Sequence, residues 1–245
     1  YTMADIGKPK VEAAVGHLHA LNPQVQITAI AAMLDPDNAR TLVGNADLVM
    51  DCADSFSVSY ILSDICRELG KPLISASALG MTGYVGGFCG TAPSIRALFP
   101  ELPKNLATCA SAGVLGPVVG ILGTMQSQMA IATLTNMSPS PLGLMLSIDL
   151  KNYMFRNFRF DKAQEPESAP FPFISKAALQ DDDILIELRD EKEAPDCIRA
   201  NALRYKVADF EKGKVHLPHD KRIVFCCRSG VRSWRAALFH RRLER

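Results

Sequence analysis

Hydrophobic and polar residues follow helical and strand spacing in turn along the first 90 residues of the chain. Helical spacing covers residues 8–21 and 57–69, and a shorter helix over 36–44 is predicted to begin with Asp35 as its cap and Pro36 in its first turn. Strand patterns cover residues 24–33, 46–52, 72–79 and 84–89. Helices that alternate with strands predict an α/β fold with a mostly parallel sheet.

The pattern changes beyond residue 90. Residues 92–112 are rich in proline and polar side chains and predict a loop, after which an apolar helix extends to about residue 136. Residues 142–160 predict two further strands. A segment rich in proline and glutamate predicts a linker over residues 163–172, so we expect one domain over 1–162 and a smaller one over 173–245.

Composition narrows the class of protein. The 245 residues are 48% hydrophobic and 22% charged, which is ordinary for a globular protein. A net charge of +1 argues against a protein that binds nucleic acid or a membrane surface. Seven cysteines without framework spacing indicate a reducing compartment, and we expect a cytoplasmic location.

One apolar segment, residues 112–134, has the length of a membrane span. It carries Gln126, Ser127 and Gln128 in its middle, and Pro117 near its start. We therefore interpret it as a helix of the protein core.

The stretch with the clearest chemistry lies near the end of the chain. A β-branched and aromatic run over residues 223–226 leads Cys227 into a glycine-containing loop, and a helix is predicted to follow. The six residues of this loop are Cys227, Arg228, Ser229, Gly230, Val231 and Arg232. A thiol at a helix N-terminus between two arginines is favoured as a thiolate, the nucleophilic form of cysteine.

Two other interpretations of this stretch remain open. Counted from Cys226, the loop has the length found in cysteine phosphatases, but its glycine then falls one place late. Cys226 fits better as the buried last residue of the strand. The other alternative is a core cysteine that precedes an ordinary solvated basic helix.

The six-residue loop resembles the active-site loop of the rhodanese sulfurtransferases. The resemblance implies that Cys227 carries a persulfide and that Arg232, the last residue of the loop, is a catalytic residue. It also implies that the backbone amides of residues 228–231 surround the transferred sulfur. We therefore expect a rhodanese-like α/β domain over residues 173–245.

Two features of the first domain suit phosphate chemistry. A strand ends in Asp51 and Asp54, and the carboxyl ends of parallel strands are where open α/β sheets bind ligands. Carboxylates there suit Mg²⁺, although such aspartates often cap helices instead. Lys10 stands at a helix start, where it can contact phosphate or simply be solvated.

Five short segments, in this order, resemble the MoeB/ThiF/HesA family of E1-like adenylyltransferases. They lie at residues 7–14, 21–23, 51–54, 97–100 and 108–114. The resemblance implies an E1-like, Rossmann-type sheet over the first domain, ATP bound through Lys10, and Mg²⁺ held by Asp54. It also implies that Cys109 forms a covalent link to a carrier protein, the alternative being a small residue on a crossover loop.

The chain departs from the family pattern at several positions. The glycine-rich nucleotide loop would precede residue 1, and the glycines of residues 80–87 do not replace it because a strand follows them. Ser55 and Ser59 stand where the family has asparagine and arginine. The two zinc-binding Cys-x-x-Cys pairs are replaced by residues 94–97 and 161–164, so we predict that zinc is absent.

The resemblance as a whole implies ATP-dependent adenylation of the C-terminal glycine of a ubiquitin-like sulfur carrier ending in Gly-Gly. Sulfur would then pass through the Cys227 persulfide from a cysteine desulfurase or thiosulfate, in thiamine or molybdopterin biosynthesis. We expect a homodimer. The alternative is a rhodanese-type sulfurtransferase, alone or on a degenerate E1-like scaffold that binds a ubiquitin-like partner without adenylating it.

Overall fold

The structure is a computed structural model that describes residues 1–101, 113–167, 171–218 and 220–243, and it divides into two units, residues 1–34 and 35–245. The helices of the described residues are α1 (Lys10–Leu21), α2 (Pro36–Gly44), α3 (Phe56–Glu68), α4 (Ile95–Leu98), α5 (Gly116–Leu134), α6 (Val207–Glu211) and α7 (Val231–Leu243). The strands are β1 (Val49–Asp51), β2 (Pro72–Leu79), β3 (Thr82–Cys89), β4 (Leu144–Asp149), β5 (Met154–Arg159), β6 (Ile184–Glu187), β7 (Leu203–Arg204) and β8 (Ile223–Cys226).

The first unit contains α1, which the helical spacing predicted. The strand predicted over residues 24–33 is wrong, because this segment has no regular secondary structure. Its apolar side chains at Val25, Ile30 and Met33 are exposed. An alternating sequence forms a strand only where a neighbouring strand supplies backbone hydrogen bonds, and the described part of this unit contains no such neighbour.

The second unit begins with α2, whose cap is the predicted one. The Asp35 carboxylate accepts hydrogen bonds from the backbone N–H groups of Asp37 and Asn38, both at 3.0 Å. α3 also matches its prediction, except that it begins and ends one residue earlier than the predicted range of 57–69. β1 is shorter than predicted, three residues long, and the side chain of Met50 in it is exposed.

The first sheet of this unit has the strand order β1-β2-β3-β4-β5. Only β1 and β2 are parallel, and the other three pairings are antiparallel, so the prediction of a mostly parallel sheet is wrong here. The physical reason is the length of the connections. Gly80 and Met81 alone join β2 to β3, and residues 150–153 join β4 to β5. Such short connections can only make neighbouring strands antiparallel.

Helix α5 packs across this sheet and supplies much of its core. Its buried face includes Val118, Leu122 and Met129, which contact buried residues of β2 and β3. The packing is close because β3 carries Gly83, where a Cβ atom would collide with Cδ1 of Leu122. None of the helices in the described ranges is long and apolar enough to cross a membrane.

Gln126 is the polar residue within the buried face of α5, and it is 2% exposed. Its Nε2 donates hydrogen bonds to the backbone oxygens of Asp51 at 2.8 Å and Ile74 at 2.9 Å. The amide therefore links the helix to the last residue of β1 and to β2. The polar residues that argued against a membrane span include one with a specific role in the core.

The second sheet has the order β7-β6-β8, and both pairings are parallel. Its core contains Ile186, Phe210 and Ala236, so α6 and α7 pack on the sheet. The carboxyl ends of its strands meet at one edge, where Glu187 of β6 is the register partner of both Arg204 and Cys226. This edge carries the Cys227 loop.

We predict that Gln126→Leu lowers the free energy of unfolding by about 2 kcal/mol, because two buried carbonyl oxygens lose a donor. The matched control is Gln128→Leu on the exposed face of the same helix, which we expect to change stability by less than about 0.5 kcal/mol. Urea unfolding followed by circular dichroism measures both variants. Equal stability of the two variants would contradict the role of the Gln126 amide.

Candidate functional site

The Cys227 loop connects the end of β8 to the start of α7. Gly230 adopts a φ of 79°, a left-handed conformation that favours glycine, and its N–H donates a hydrogen bond to the Cys227 sulfur at 3.1 Å. The carbonyl oxygen of Gly230 accepts the N–H of Trp234 at 2.9 Å, which is the first turn of α7. The thiol thus lies at a helix N-terminus, within hydrogen-bond distance of a backbone donor.

The neighbouring Cys226 has a different environment. It is half-buried as the last residue of β8, which confirms its predicted place in the strand. Burial, together with the adjacent Glu187 carboxylate, raises the pKa of the Cys226 thiol to about 11. Cys226 is therefore a neutral thiol near pH 7, and the geometry favours Cys227 as the nucleophile.

Arg232, the last residue of the loop, is held in an ion pair. Its two terminal nitrogens contact the two carboxylate oxygens of Glu193 at 2.7 and 2.5 Å, and Nη1 also donates to the backbone oxygen of Leu188 at 3.3 Å. The hydrogen bonds from Arg232 hold the pKa of Glu193 below its usual range. Arg228 and Ser229 are exposed on the same loop, so their side chains face solvent.

Further charged residues lie at the same edge of the second sheet, and the sequence analysis missed them. Arg189 forms two bonds with the fully buried Glu187, at 2.9 and 2.6 Å. Arg204 donates to the backbone oxygens of Arg189 and Ala194 and, at 3.1 Å, to the sulfur of Cys197. The Arg189–Glu187 pair is local, whereas the Arg204 contacts join segments 7 to 15 residues apart, and no spacing in the sequence signals them.

The two aspartates at the end of β1 have different roles. The buried Asp51 carboxylate accepts the N–H of Ala53 at 3.1 Å and the hydroxyl of Ser75 at 2.8 Å, so it stabilises the strand end. Asp54 is exposed, and its carboxylate has no hydrogen bond or ion pair with any residue that the structure describes. Mg²⁺ commonly binds one or two carboxylates together with substrate phosphates, and Asp54 fits that requirement.

The other residues expected at the nucleotide site are placed as follows. Lys10 is the exposed first residue of α1 in the first unit, whereas Asp54 belongs to the second unit. Cys109 lies outside the described residues. Ser55 and Ser59 make local contacts, from the Ser55 hydroxyl to that of Ser57 at 2.8 Å and from the Ser59 hydroxyl to the Ser55 carbonyl oxygen at 3.5 Å.

The positions of the family's zinc ligands carry other interactions here. Ser94 donates its N–H and hydroxyl to the carboxylate of Glu165, at 2.8 and 2.6 Å. Asp161 pairs with Arg159 at 2.6 Å. Within the described ranges, no three His, Cys, Asp or Glu side chains lie close enough together to hold a metal ion.

The Cys227 loop lies directly against the start of α3. A Cβ atom added to Gly230 would be 2.8 Å from Cε1 of Phe173 and 3.1 Å from Cβ of Ser57. Ser57 is three residues beyond Asp54 in the chain. The fold therefore places the Cys227 loop close to the segment that contains Asp54. Sequence analysis had treated these two features separately.

Comparisons with known proteins identify the family of the first domain and relatives of the chain. Residues 1–169 match the ThiF family. The adenylyltransferase and sulfurtransferase MOCS3 of Drosophila grimshawi is 33% identical over 226 residues, which cover 89% of this chain and 50% of that protein. The SAMP-activating enzyme E1 of Haloferax volcanii is 33% identical over 153 residues, which cover 62% of this chain and 57% of that enzyme. The chain thus spans about half the length of these curated relatives.

Solved structures share the fold over about two thirds of the chain. Escherichia coli MccB superimposes with a TM-score of 0.57 at 14% identity, covering 70% of this chain and 54% of that chain. PaaA superimposes with a TM-score of 0.52 at 18% identity, covering 65% of this chain and 58% of that chain. At these identities the similarity supports the mixed α/β fold and nothing finer.

We predict that limited iodoacetamide treatment at pH 8 modifies Cys227 and leaves Cys226 unmodified, because a thiol with a pKa of about 11 is almost fully protonated there. Tryptic cleavage yields residues 223–228 as one peptide, whose fragment ions distinguish the two sulfurs.

A Cys227→Ser variant provides the control. Cys226 in that variant should become reactive only as the pH rises towards 11, where its thiolate forms. Equal labelling of both cysteines at pH 8 would refute the assignment of the nucleophile.

Proposed function

The chain belongs to the ThiF family, and on that premise we propose that it adenylates the C-terminal glycine of a ubiquitin-like sulfur carrier and passes sulfur to it from Cys227. Membership of the family implies the use of ATP. The observation that carries the proposal is the contact of the Cys227 loop with the start of α3, close in the chain to Asp54. We further propose an adenylation domain over residues 1–162, a linker over 163–172, and a sulfur-transfer domain over 173–245.

The first step activates the carrier. Its C-terminal carboxylate attacks the α-phosphorus of ATP, so that a carboxyl–phosphorus bond forms and pyrophosphate leaves. Lys10 would contact the phosphates and Asp54 would hold Mg²⁺, which offsets the negative charge of the phosphates when it is bound. The exposed carboxylate of Asp54, which pairs with none of the described residues, supports this role, whereas Asp51 already bonds to Ala53 and Ser75.

The second step transfers sulfur. The terminal sulfur of the Cys227 persulfide attacks the acyl carbon of the adenylate, AMP leaves, and the carrier becomes linked to Cys227 through an acyl disulfide. A thiol then attacks the Cys227 sulfur, forms a disulfide with it, and releases the carrier thiocarboxylate. Cys109 is our candidate for that thiol.

The loop geometry supports a persulfide at Cys227. The backbone N–H of Gly230 already contacts the sulfur, just before α7 begins at Val231. Arg228 is exposed on the loop and adds positive charge for an incoming anion. We propose a cysteine desulfurase or thiosulfate as the sulfur donor.

The names of relatives support a protein partner. One relative is a SAMP-activating enzyme, and MccB has been crystallised with N-formylated MccA. We propose a carrier ending in Gly-Gly as the partner of this chain, within thiamine or molybdopterin biosynthesis. A homodimer and a cytoplasmic location complete the proposal, the latter supported by the cysteine usage.

A second candidate function is sulfur transfer on a scaffold that binds a ubiquitin-like partner without adenylating it. The observation in its favour is local. Ser55 and Ser59 bond to neighbours within α3 and bring neither the amide nor the cation that the family resemblance places there. This candidate keeps the chemistry of Cys227 and removes that of Asp54.

Pyrophosphate exchange in the full-length protein, with Mg-ATP and a carrier ending in Gly-Gly, separates the two candidates. We expect Asp54→Asn to lower the exchange rate about 100-fold, because the metal loses its carboxylate. Asp47→Asn, an exposed aspartate before β1, is the matched control and should exchange at the wild-type rate. Absence of exchange in the wild-type protein with every carrier would favour the scaffold function.

The sulfur step has its own test. We expect Cys227→Ser to abolish transfer of sulfur from thiosulfate to cyanide and formation of the carrier thiocarboxylate, while pyrophosphate exchange stays within about twofold. Mass spectrometry of the carrier detects the thiocarboxylate. Thiocarboxylate formation at the wild-type rate in this variant would exclude Cys227 as the sulfur carrier.

A further inference from the structure

Trp234 is the single tryptophan of the chain, and it is buried on the first turn of α7 with 4% of its surface exposed. Its ring stacks on Phe173 at a centroid distance of 6.2 Å and meets Phe171 edge-on at 5.7 Å. The ring of Tyr60, from α3, lies 6.1 Å from the Trp234 ring. Trp234 therefore joins the helix that follows Cys227 to the helix that follows Asp54.

A buried cation completes this cluster. The guanidinium carbon of Arg96 lies 4.6 Å from the centre of the Tyr60 ring and 5.3 Å from that of Trp234. Arg96 is 5% exposed, and Asp64 of α3 holds its Nε and Nη2 at 2.5 and 2.7 Å. The planar guanidinium can satisfy the carboxylate with one edge while its faces contact aromatic rings.

The cluster formed by Trp234, its aromatic neighbours and Arg96 lies next to the Cys227 loop. The N–H of Trp234 bonds to Gly230, and Phe173 packs both on Trp234 and on Gly230. Any displacement of Trp234 from Tyr60 would therefore shift the loop away from Ser57. The linker is anchored at its other end as well, because Glu165 bonds to Ser94 and pairs with Arg67.

We propose that Trp234 and Arg96 are positioning residues that dock the Cys227 loop on α3, so that sulfur meets the activated carrier in one fixed geometry. This inference rests on the proposed function, since it concerns the transfer between its two steps. Neither residue touches the reacting atoms. Their role is to fix the distance between two chemical centres, and a reaction between bound groups is highly sensitive to that distance.

The test compares each half-reaction with the coupled one in the full-length protein. In Arg96→Met and Phe173→Ala we expect pyrophosphate exchange and thiosulfate-to-cyanide transfer to stay within twofold of wild type. Formation of the carrier thiocarboxylate should fall about 100-fold. Trp234→Phe keeps an aromatic ring against Tyr60 and should retain most of the rate of thiocarboxylate formation.

Trp234 also gives a readout that is independent of ATP, because all tryptophan emission comes from it. We expect a shift of its emission to longer wavelength and faster acrylamide quenching in Arg96→Met and Phe173→Ala. Phe155→Ala, which truncates an exposed aromatic residue on β5, is the control and should change neither signal.

Failure of the positioning role and failure of the proposed function give different results. The positioning role would be overturned if emission stayed unchanged in both Arg96→Met and Phe173→Ala. It would also be overturned if emission shifted while thiocarboxylate formation stayed within twofold of the wild-type rate. Absence of both half-reactions in the wild-type protein would instead overturn the proposed function, and the emission would still report whether Trp234 docks the loop.

Discussion

The hydrogen bonds of the buried Gln126 amide fix the part of the fold on which both candidate centres depend. An amide inside an apolar helix is costly unless its donors are satisfied, and Gln126 meets that requirement only when α5 lies across β1 and β2. The same bonds hold the backbone at Asp51, where β1 ends and the chain turns towards Asp54 and α3. Because Tyr60 of α3 supports Trp234, the position of the Cys227 loop also depends on this strand end.

How far the sequence predicts this arrangement depends on the range of the interaction. The Asp35 cap, the extent of α3 and the turn from Cys226 into the loop follow from neighbouring residues, and each prediction agrees with the structure. Strand direction was wrong because the two residues between β2 and β3 outweigh the alternation of helices and strands around them. Residues 24–33 show that local pattern alone is insufficient. Their alternation of apolar and polar side chains specifies one apolar face but no neighbouring strand.

The candidate site divides along the same line. Cys227 and Asp54 could be proposed as candidates because local spacing marks a cysteine before a helix and aspartates at a strand end. Glu193 could not be identified, since its contact with Arg232 joins segments 39 residues apart. The contact of Gly230 with Ser57 spans most of the second unit, and the packing of Trp234, Arg96 and Tyr60 lies beside it. Long-range ion pairs and aromatic contacts thus decide what the local motifs face.

The charges around the loop bear on the choice between sulfur and phosphate chemistry. A loop that binds a phosphate dianion benefits from an arginine whose planar fork is free for two parallel bonds. Here both terminal nitrogens of Arg232 are occupied by Glu193, and Arg189 is occupied by Glu187. Besides the exposed Arg228, the loop offers an anion the backbone at the start of α7, where the Gly230 N–H donates to the Cys227 sulfur. Backbone amides suit a small, singly charged sulfur anion, so the electrostatics of the site favour a persulfide over a phosphate ester.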